Sequence, residues 1–213
     1  DLRIEASNVL SNNPVLCATV GLQSAAPLKA AMDSMEATIQ APRLTAYTEF
    51  NMQDTMVVPT VQADISFDDL KGYYTDIQAH LAQSVLKANL RPSRRNKSVP
   101  RLEASVQTQA LNASMGEDMQ VKTAALSLKA SARYNKKGDN LLLQWNPKLD
   151  VDLQAGEAHL AAIEQPVYIP QITFTYSNKD FYIAQSQVRL GNSDFALSGE
   201  VQNIGAWLRN KGT

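Results

Sequence analysis

Val99-Pro100-Arg101-Leu102-Glu103-Ala104-Ser105-Val106-Gln107-Thr108-Gln109-Ala110, closed by the turn Gly116-Glu117-Asp118 and answered by Gln120–Tyr134, is the stretch whose reading decides the fold. Leu102, Ala104, Val106, Thr108 and Ala110 fall on one side of an extended chain, and Glu103, Ser105, Gln107 and Gln109 on the other. After the turn, Ala124, Leu126, Leu128, Ala130, Ala132 and Tyr134 oppose Ala125, Ser127, Lys129, Ser131 and Arg133. A period of two is the period of a strand with one apolar and one polar face, not of a helix. A second turn, Asn135-Lys136-Lys137-Gly138-Asp139, leads into Asn140–Trp145. Hairpins in series make an antiparallel meander.

The motif of a proline entering an alternating run occurs three times, at Ala41-Pro42-Arg43-Leu44-Thr45-Ala46, at Val99–Ala104 and at Ile169-Pro170-Gln171-Ile172-Thr173-Phe174. Proline has no N–H to donate and biases its predecessor toward extended backbone, so each is expected to open a strand. An aspartate followed by a β-like run precedes each, at Asp33, Asp76 and Asp152. This reads as one elongated β-repeat domain over 1–213, with irregular modules at about 1–75, 76–150 and 151–213. A module with one apolar face cannot bury that face alone.

Working outward, Leu2–Val9 and Val15–Gln23 read as a hairpin across Ser11-Asn12-Asn13-Pro14. Ala25–Met35 is the best helix candidate, because Pro27 suits a first turn and Leu28, Ala31, Met32 and Met35 keep helical spacing. Ala37–Gln40, Arg43–Met52 and Met56–Phe67 read as strands. Phe67, Leu70, Tyr73, Ile77, Leu81 and Val85 step by threes and fours, which suggests a helical piece or turn at Phe67–Lys71 before strands at Tyr74–Leu81 and Val85–Leu90. Arg91–Ser98 is a loop. Lys148–Ala155, His159–Ile163, Val167–Ser177, Phe181–Leu190 and Ser193–Val201 continue the meander, and Asn203–Asn210 suggests a last amphipathic turn. The expected fold is mainly β: a curved antiparallel meander of irregular repeats forming a groove or half-barrel, with one or two short helices.

Composition sets bounds. The 213 residues carry 20 basic and 21 acidic side chains, so no overall field favours nucleic acid or acidic lipid. Cys17 is the single cysteine, which leaves neither an internal disulfide nor a thiolate metal site. No run reaches the roughly 18 apolar residues of a membrane span. The chain starts in alternation at Asp1 without an initiator methionine, as a processed or excised piece would. Hydrophobic residues make up 44% but aromatics only 7%, and alanine is frequent on the inward side. Small inward side chains leave room above a sheet.

Little points to catalysis. His80 and His159 each sit in Ala-His-Leu-Ala, which reads as equivalent structural positions in two modules. Asp68-Asp69 and Glu117-Asp118 read as turn residues, and Asp150 and Asp152 as one polar strand face. No Gly-x-Ser-x-Gly elbow and no glycine-rich phosphate cradle occur. No enzyme activity, metal or cofactor is expected. Arg91, Arg94, Arg95 and Lys97 form the one basic cluster, which reads as solvated loop charge or as a contact for lipid head groups or an acidic partner; without interleaved aromatics it does not read as a nucleic-acid surface. Trp145, Tyr168, Tyr176, Phe181, Tyr182 and Trp207 read as core or rim rather than sugar platforms.

The C-terminal block Tyr168–Tyr176, Phe181-Tyr182-Ile183-Ala184 and Val188-Arg189-Leu190-Gly191-Asn192-Ser193-Asp194-Phe195-Ala196-Leu197-Ser198-Gly199-Glu200-Val201 resembles the AsmA-like family of bacterial envelope proteins, over about 45 residues. Gly191-Asn192 supplies a positive-φ turn. The resemblance implies a periplasmic location in the cell envelope, membrane anchoring through segments outside this chain, and kinship with bridge-like lipid-transfer proteins. It further implies a non-enzymatic role in outer-membrane assembly or phospholipid transport, with acyl chains and other envelope proteins as partners. Leu44, Ala46, Leu102, Ala104, Val106, Leu126, Leu128, Ile172 and Phe174 are the candidate groove residues. The alternative is a structural or adhesion β-domain with a closed, dry core and no lipid.

Overall fold

The structure, a computed structural model, describes residues 2–7, 14–54, 56–135, 144–177 and 180–202. They form one antiparallel sheet of thirteen strands: β1 (Leu2–Ser7), β2 (Val15–Gln23), β3 (Leu28–Met32), β4 (Met35–Gln40), β5 (Arg43–Asn51), β6 (Thr60–Tyr74), β7 (Ile77–Pro92), β8 (Pro100–Met115), β9 (Met119–Tyr134), β10 (Trp145–Leu160), β11 (Ile163–Ser177), β12 (Asp180–Leu190) and β13 (Ser193–Val201). From β5 to β13 every strand pairs with its chain neighbours, as a meander must. The sheet is open, with β1 and β13 at opposite ends.

β2 and β3 run in line, as do β4 and β5. β6 pairs with β4 through Met35↔Tyr74 to Gln40↔Asp69 and with β5 from Arg43↔Ser66 onward, so Ala41-Pro42 interrupts a single long strand. Two collinear pairs of short strands therefore do the work of two long ones.

No helix occurs among the described residues. Ala25–Met35 is not helical: it holds β3, a two-residue turn at Asp33-Ser34 and the start of β4. Asp33 takes φ 50, a left-handed conformation that aspartate tolerates better than most side chains, and Met32 pairs with Met35 across it. Phe67–Lys71 is neither turn nor helix but lies within β6, whose hairpin to β7 turns at Thr75-Asp76. Asp152 and Pro170 are interior to β10 and β11, so the aspartate-plus-proline module does not mark strand starts in the third repeat. His159–Ile163 is not one strand; it spans the turn between β10 and β11. Asn203–Asn210 and most of Asn140–Trp145 lie outside the described residues.

The threes and fours near Phe67 have another cause. On each long strand the apolar face takes one step of three where all others are two: Phe67 to Leu70, Leu81 to Ser84, Thr108 to Leu111, Thr123 to Leu126, Leu153 to Gly156, Ile169 to Ile172. A β-bulge inserts one residue and restarts the alternation out of phase. Gln83 (φ 46) and Ala155 (φ 49) carry the left-handed backbone of such bulges, and Ala41 (φ 48) carries it in line with them. A Cβ built on Gly156 would lie 2.7 Å from Leu153 Cδ2, which places Leu153 and Gly156 on one face despite their odd separation. From β6 to β11 every strand slips at the same level, so pairing resumes in register: Phe67↔Ser84 and Asp69↔Ala82, or Leu153↔Ile172 and Gly156↔Ile169. The result is a crease running across the sheet.

Backbone groups freed at a crease need other partners. Small hydroxyls supply them. Thr108 donates to the carbonyls of Ala82 (2.8 Å) and Ala110 (2.9 Å), Thr123 to those of Gln154 (2.7 Å) and Ala125 (3.0 Å). Ser186 donates to Ala184 O and accepts from the Thr173 N–H. Ser84, Thr108, Thr123 and Ser186 are the deepest polar side chains among the described residues, at 5% exposure or less.

The sheet is a single layer among the described residues. The accessible surface of the whole chain, 14852 Å², compares with about 9,700 Å² expected for a compact protein of this mass. Among the described strand residues the buried apolar side chains are Phe67, Val151 and Ala158.

Candidate functional site: the apolar face of the sheet

Register converts alternation into rows. Leu22, Leu44, Ile65, Leu86, Val106, Leu128, Val151, Phe174 and Ile183 stand side by side on nine successive strands, β2 and β5 through β12. One step along the strands is a second row: Val20, Ala46, Ala63, Ala88, Ala104, Ala130, Leu149, Tyr176 and Phe181. Five consecutive alanines make its middle a shallow trough between leucine ridges.

Past the crease the same face continues. Ala37, Gly72, Ala79, Ala113, Val121, Ala158 and Val167 form another row of small residues. Met35, Tyr74, Ile77, Met115, Met119, Leu160 and Ile163 close the face at the hairpin ends. A cavity of about 280 Å³ opens there among Met35, Ala37, Leu70, Tyr74, Ile77 and Leu81.

All nine sequence-derived groove residues lie on this face. Leu44, Val106, Leu128 and Phe174 share the first row, Ala46 and Ala104 the second. Leu126 and Ile172 stand beside the crease, and Leu102 one row further out. The half beyond the crease, including Leu70, Leu81 and Met115, was missed, because an alternation extended without slippage puts Ala110 and Ala124 where Leu111 and Thr123 belong. The signal was present as two intervening residues between Thr108 and Leu111.

No second layer of the described residues covers the face, where Phe67, Val151 and Ala158 are buried by neighbours within the sheet itself. A Cβ added at Gly72 or Gly199 meets no atom within 4 Å. Phe50, Leu102, Met115, Phe195 and Leu197 are exposed by 40–48%. With strands of up to 16 residues and eleven side-by-side positions, each face covers about 2,000 Å². That is several times the largest apolar patch of an ordinary soluble monomer, about 300–600 Å².

The opposite face is polar and ionic. Asp69 meets both His80 and Lys71, while His159 Nε2 lies 2.5 Å from Glu157. Each histidine has its own carboxylate, and no group of metal-binding side chains occurs among the described residues. Asp68-Asp69 lies at the crease within β6, not at a turn. Lys148 bonds the Asp150 carboxylate and, with a second hydrogen bond from Thr175 Oγ1 at 2.8 Å, holds its pKa below the ordinary value. Tyr47 hydrogen-bonds Cys17 Sγ and Glu49, which raises its pKa. Tyr168 and Tyr182 are on this polar side, exposed, whereas Tyr176, Phe181 and Trp145 share the apolar face; Trp207 lies outside the described residues. Trp145 packs edge-on to Tyr134, with centroids 5.6 Å apart.

No protein-family model, curated protein or solved structure matches the chain. Among the described residues no helix is long and apolar enough to cross a membrane, which says nothing of spanning by strands.

Proposed function

We propose that this chain is a non-enzymatic, periplasmic segment of an AsmA-like envelope protein, and that its apolar face holds acyl chains during outer-membrane assembly or phospholipid movement. The observation that carries the reading is the uninterrupted apolar row from Leu22 to Ile183, along which Val151 alone is buried. A face this large is stable in water only against a greasy partner. The Tyr168–Val201 resemblance names the class of partner. Exchange between two hydrocarbon settings needs no catalytic group. Each CH₂ that leaves a bilayer for the face regains about 0.8 kcal/mol that water would have withheld. The polar row on the reverse keeps the outer surface wet.

Native mass spectrometry of the purified chain, followed by solvent extraction, tests the proposal. We expect co-purifying phospholipid. A chain free of lipid that also fails to bind a lipophilic dye would overturn it.

A further inference from the structure

A second site stands at one end of the sheet, on the polar side. Register sets Arg91 opposite Arg101 and Arg101 opposite Arg133, three guanidinium groups abreast on β7, β8 and β9. Like charges directly opposite one another destabilise a sheet. The β7–β8 loop adds Arg94 and Arg95 to the same place. It is held by Ser93 N–H to Val99 O (2.8 Å), Val99 N–H to Asn96 O (3.0 Å) and Ser98 N–H to Asn96 Oδ1 (3.0 Å).

The five arginines line one cavity of about 420 Å³, together with Ser93, Ser131 and Asn146. Its lining contains no carboxylate and no lysine. Glu103, alongside, is their only ionic partner among the described residues. Arg91 Nη2 lies 2.8 Å from it and Arg101 Nη2 2.7 Å, so one carboxylate is shared by two cations. Arg94, Arg95 and Arg133 have no ionic partner among the described residues.

We propose that Arg91, Arg94, Arg95, Arg101 and Arg133 form a binding site for a phosphate group. A single carboxylate already occupies two of the forks and leaves three. An anion with three or more oxygens and up to two charges satisfies several planar forks at once, which is the geometry guanidinium fits and ammonium does not. The hydroxyls of Ser93 and Ser131 and the Asn146 amide add neutral hydrogen-bonding capacity. No aromatic side chain lines the cavity, so bases are not read there. The site stands whatever occupies the apolar face.

The phosphate can come from a soluble compound or from a lipid head group, and two probes separate these. Inorganic pyrophosphate is titrated calorimetrically into the intact chain at low salt. In parallel, co-sedimentation is measured with vesicles of phosphatidylcholine alone and of phosphatidylcholine with phosphatidylglycerol. Arg133→Gln is expected to weaken binding about tenfold, the worth of one charge-assisted hydrogen bond. Arg133→Lys is expected to recover only part of that loss. Lys122→Gln, an equal charge loss on the same face beyond the crease, is expected to leave it unchanged. Arg133-dependent binding of pyrophosphate assigns the site to soluble phosphates; Arg133-dependent binding confined to phosphatidylglycerol vesicles assigns it to a head group. The proposal falls if neither probe binds in an Arg133-dependent way, or if Lys122→Gln weakens binding as much as Arg133→Gln.

Discussion

Thr108 reaches across the β7–β8 pair to donate its hydroxyl to the carbonyl of Ala82 at 2.8 Å, at a level where the ladder between those strands is interrupted. One hydroxyl proton serves two carbonyls, Ala82 and Ala110, inside a site only 5% exposed. Thr108→Val keeps the volume and removes the donor. We expect a loss of about 1–3 kcal/mol in urea unfolding, the cost of buried carbonyls left unmatched. Thr108→Ser, which keeps the donor, should lose less; an equal loss would show that the methyl group, not the hydroxyl, stabilises the crease.

Ala155 carries φ 49, a conformation that disfavours any side chain with a Cβ. Ala155→Gly removes that clash, and the chain should gain about 1 kcal/mol, read as an increased denaturation midpoint at constant slope. Ala155→Val should lose stability. No gain with glycine would mean that the bulge is not strained at this residue.

Two glycines on the apolar face make a paired test of its openness. Gly72→Ala places its methyl in empty space and is expected to be neutral or slightly stabilising. Gly156→Ala places it 3.2 Å from Ile169 Cβ and 2.7 Å from Leu153 Cδ2, and should cost about 1–3 kcal/mol by overpacking. If Gly72→Ala proved the more damaging of the two in thermal unfolding, something would cover the face at Gly72.

Val106 and Gln107 are successive residues of β8 that point to opposite faces. Val106→Asp sets a charge in the middle of the apolar row from Leu22 to Ile183 and should abolish lipid co-purification. Gln107→Asp, the same charge on the wet side, should leave it intact. Equal retention of lipid by both variants, measured by mass spectrometry of extracts, would exclude the apolar face as the carrier.

Much of the sheet was readable because each hairpin obeys a local rule. Gly116 and Gly191 sit at positive φ in their turns, and the strands between turns alternate. Leu102 through Thr108 and Leu126 through Tyr134 were assigned to the correct face by period alone. The crease was not readable from any one strand. A step of three in a short window, as at Phe67–Leu70, has the same spacing as a helical turn, and Leu28, Ala31, Met32 and Met35 produced the same ambiguity around a hairpin. Only the alignment of several strands shows that all the steps fall at one level, and alignment is a property of the sheet. The arginine row shows the same limit. Arg91, Arg94 and Arg95 are a visible cluster in the chain, whereas Arg101 and Arg133 join it only through register.

If the apolar face carries acyl chains as proposed, the alanine row has a kinetic meaning. Ala46, Ala63, Ala88, Ala104 and Ala130 repeat one small side chain at each strand spacing, about 4.8 Å. A hydrocarbon chain displaced across the strands by one spacing therefore meets nearly the surface it left, so its energy along that path is a shallow ripple rather than a series of wells. Such a surface favours sliding over lodging. Ala88→Leu would raise one crest in the middle of the track, and should slow transfer between vesicles while the amount of lipid bound stays the same.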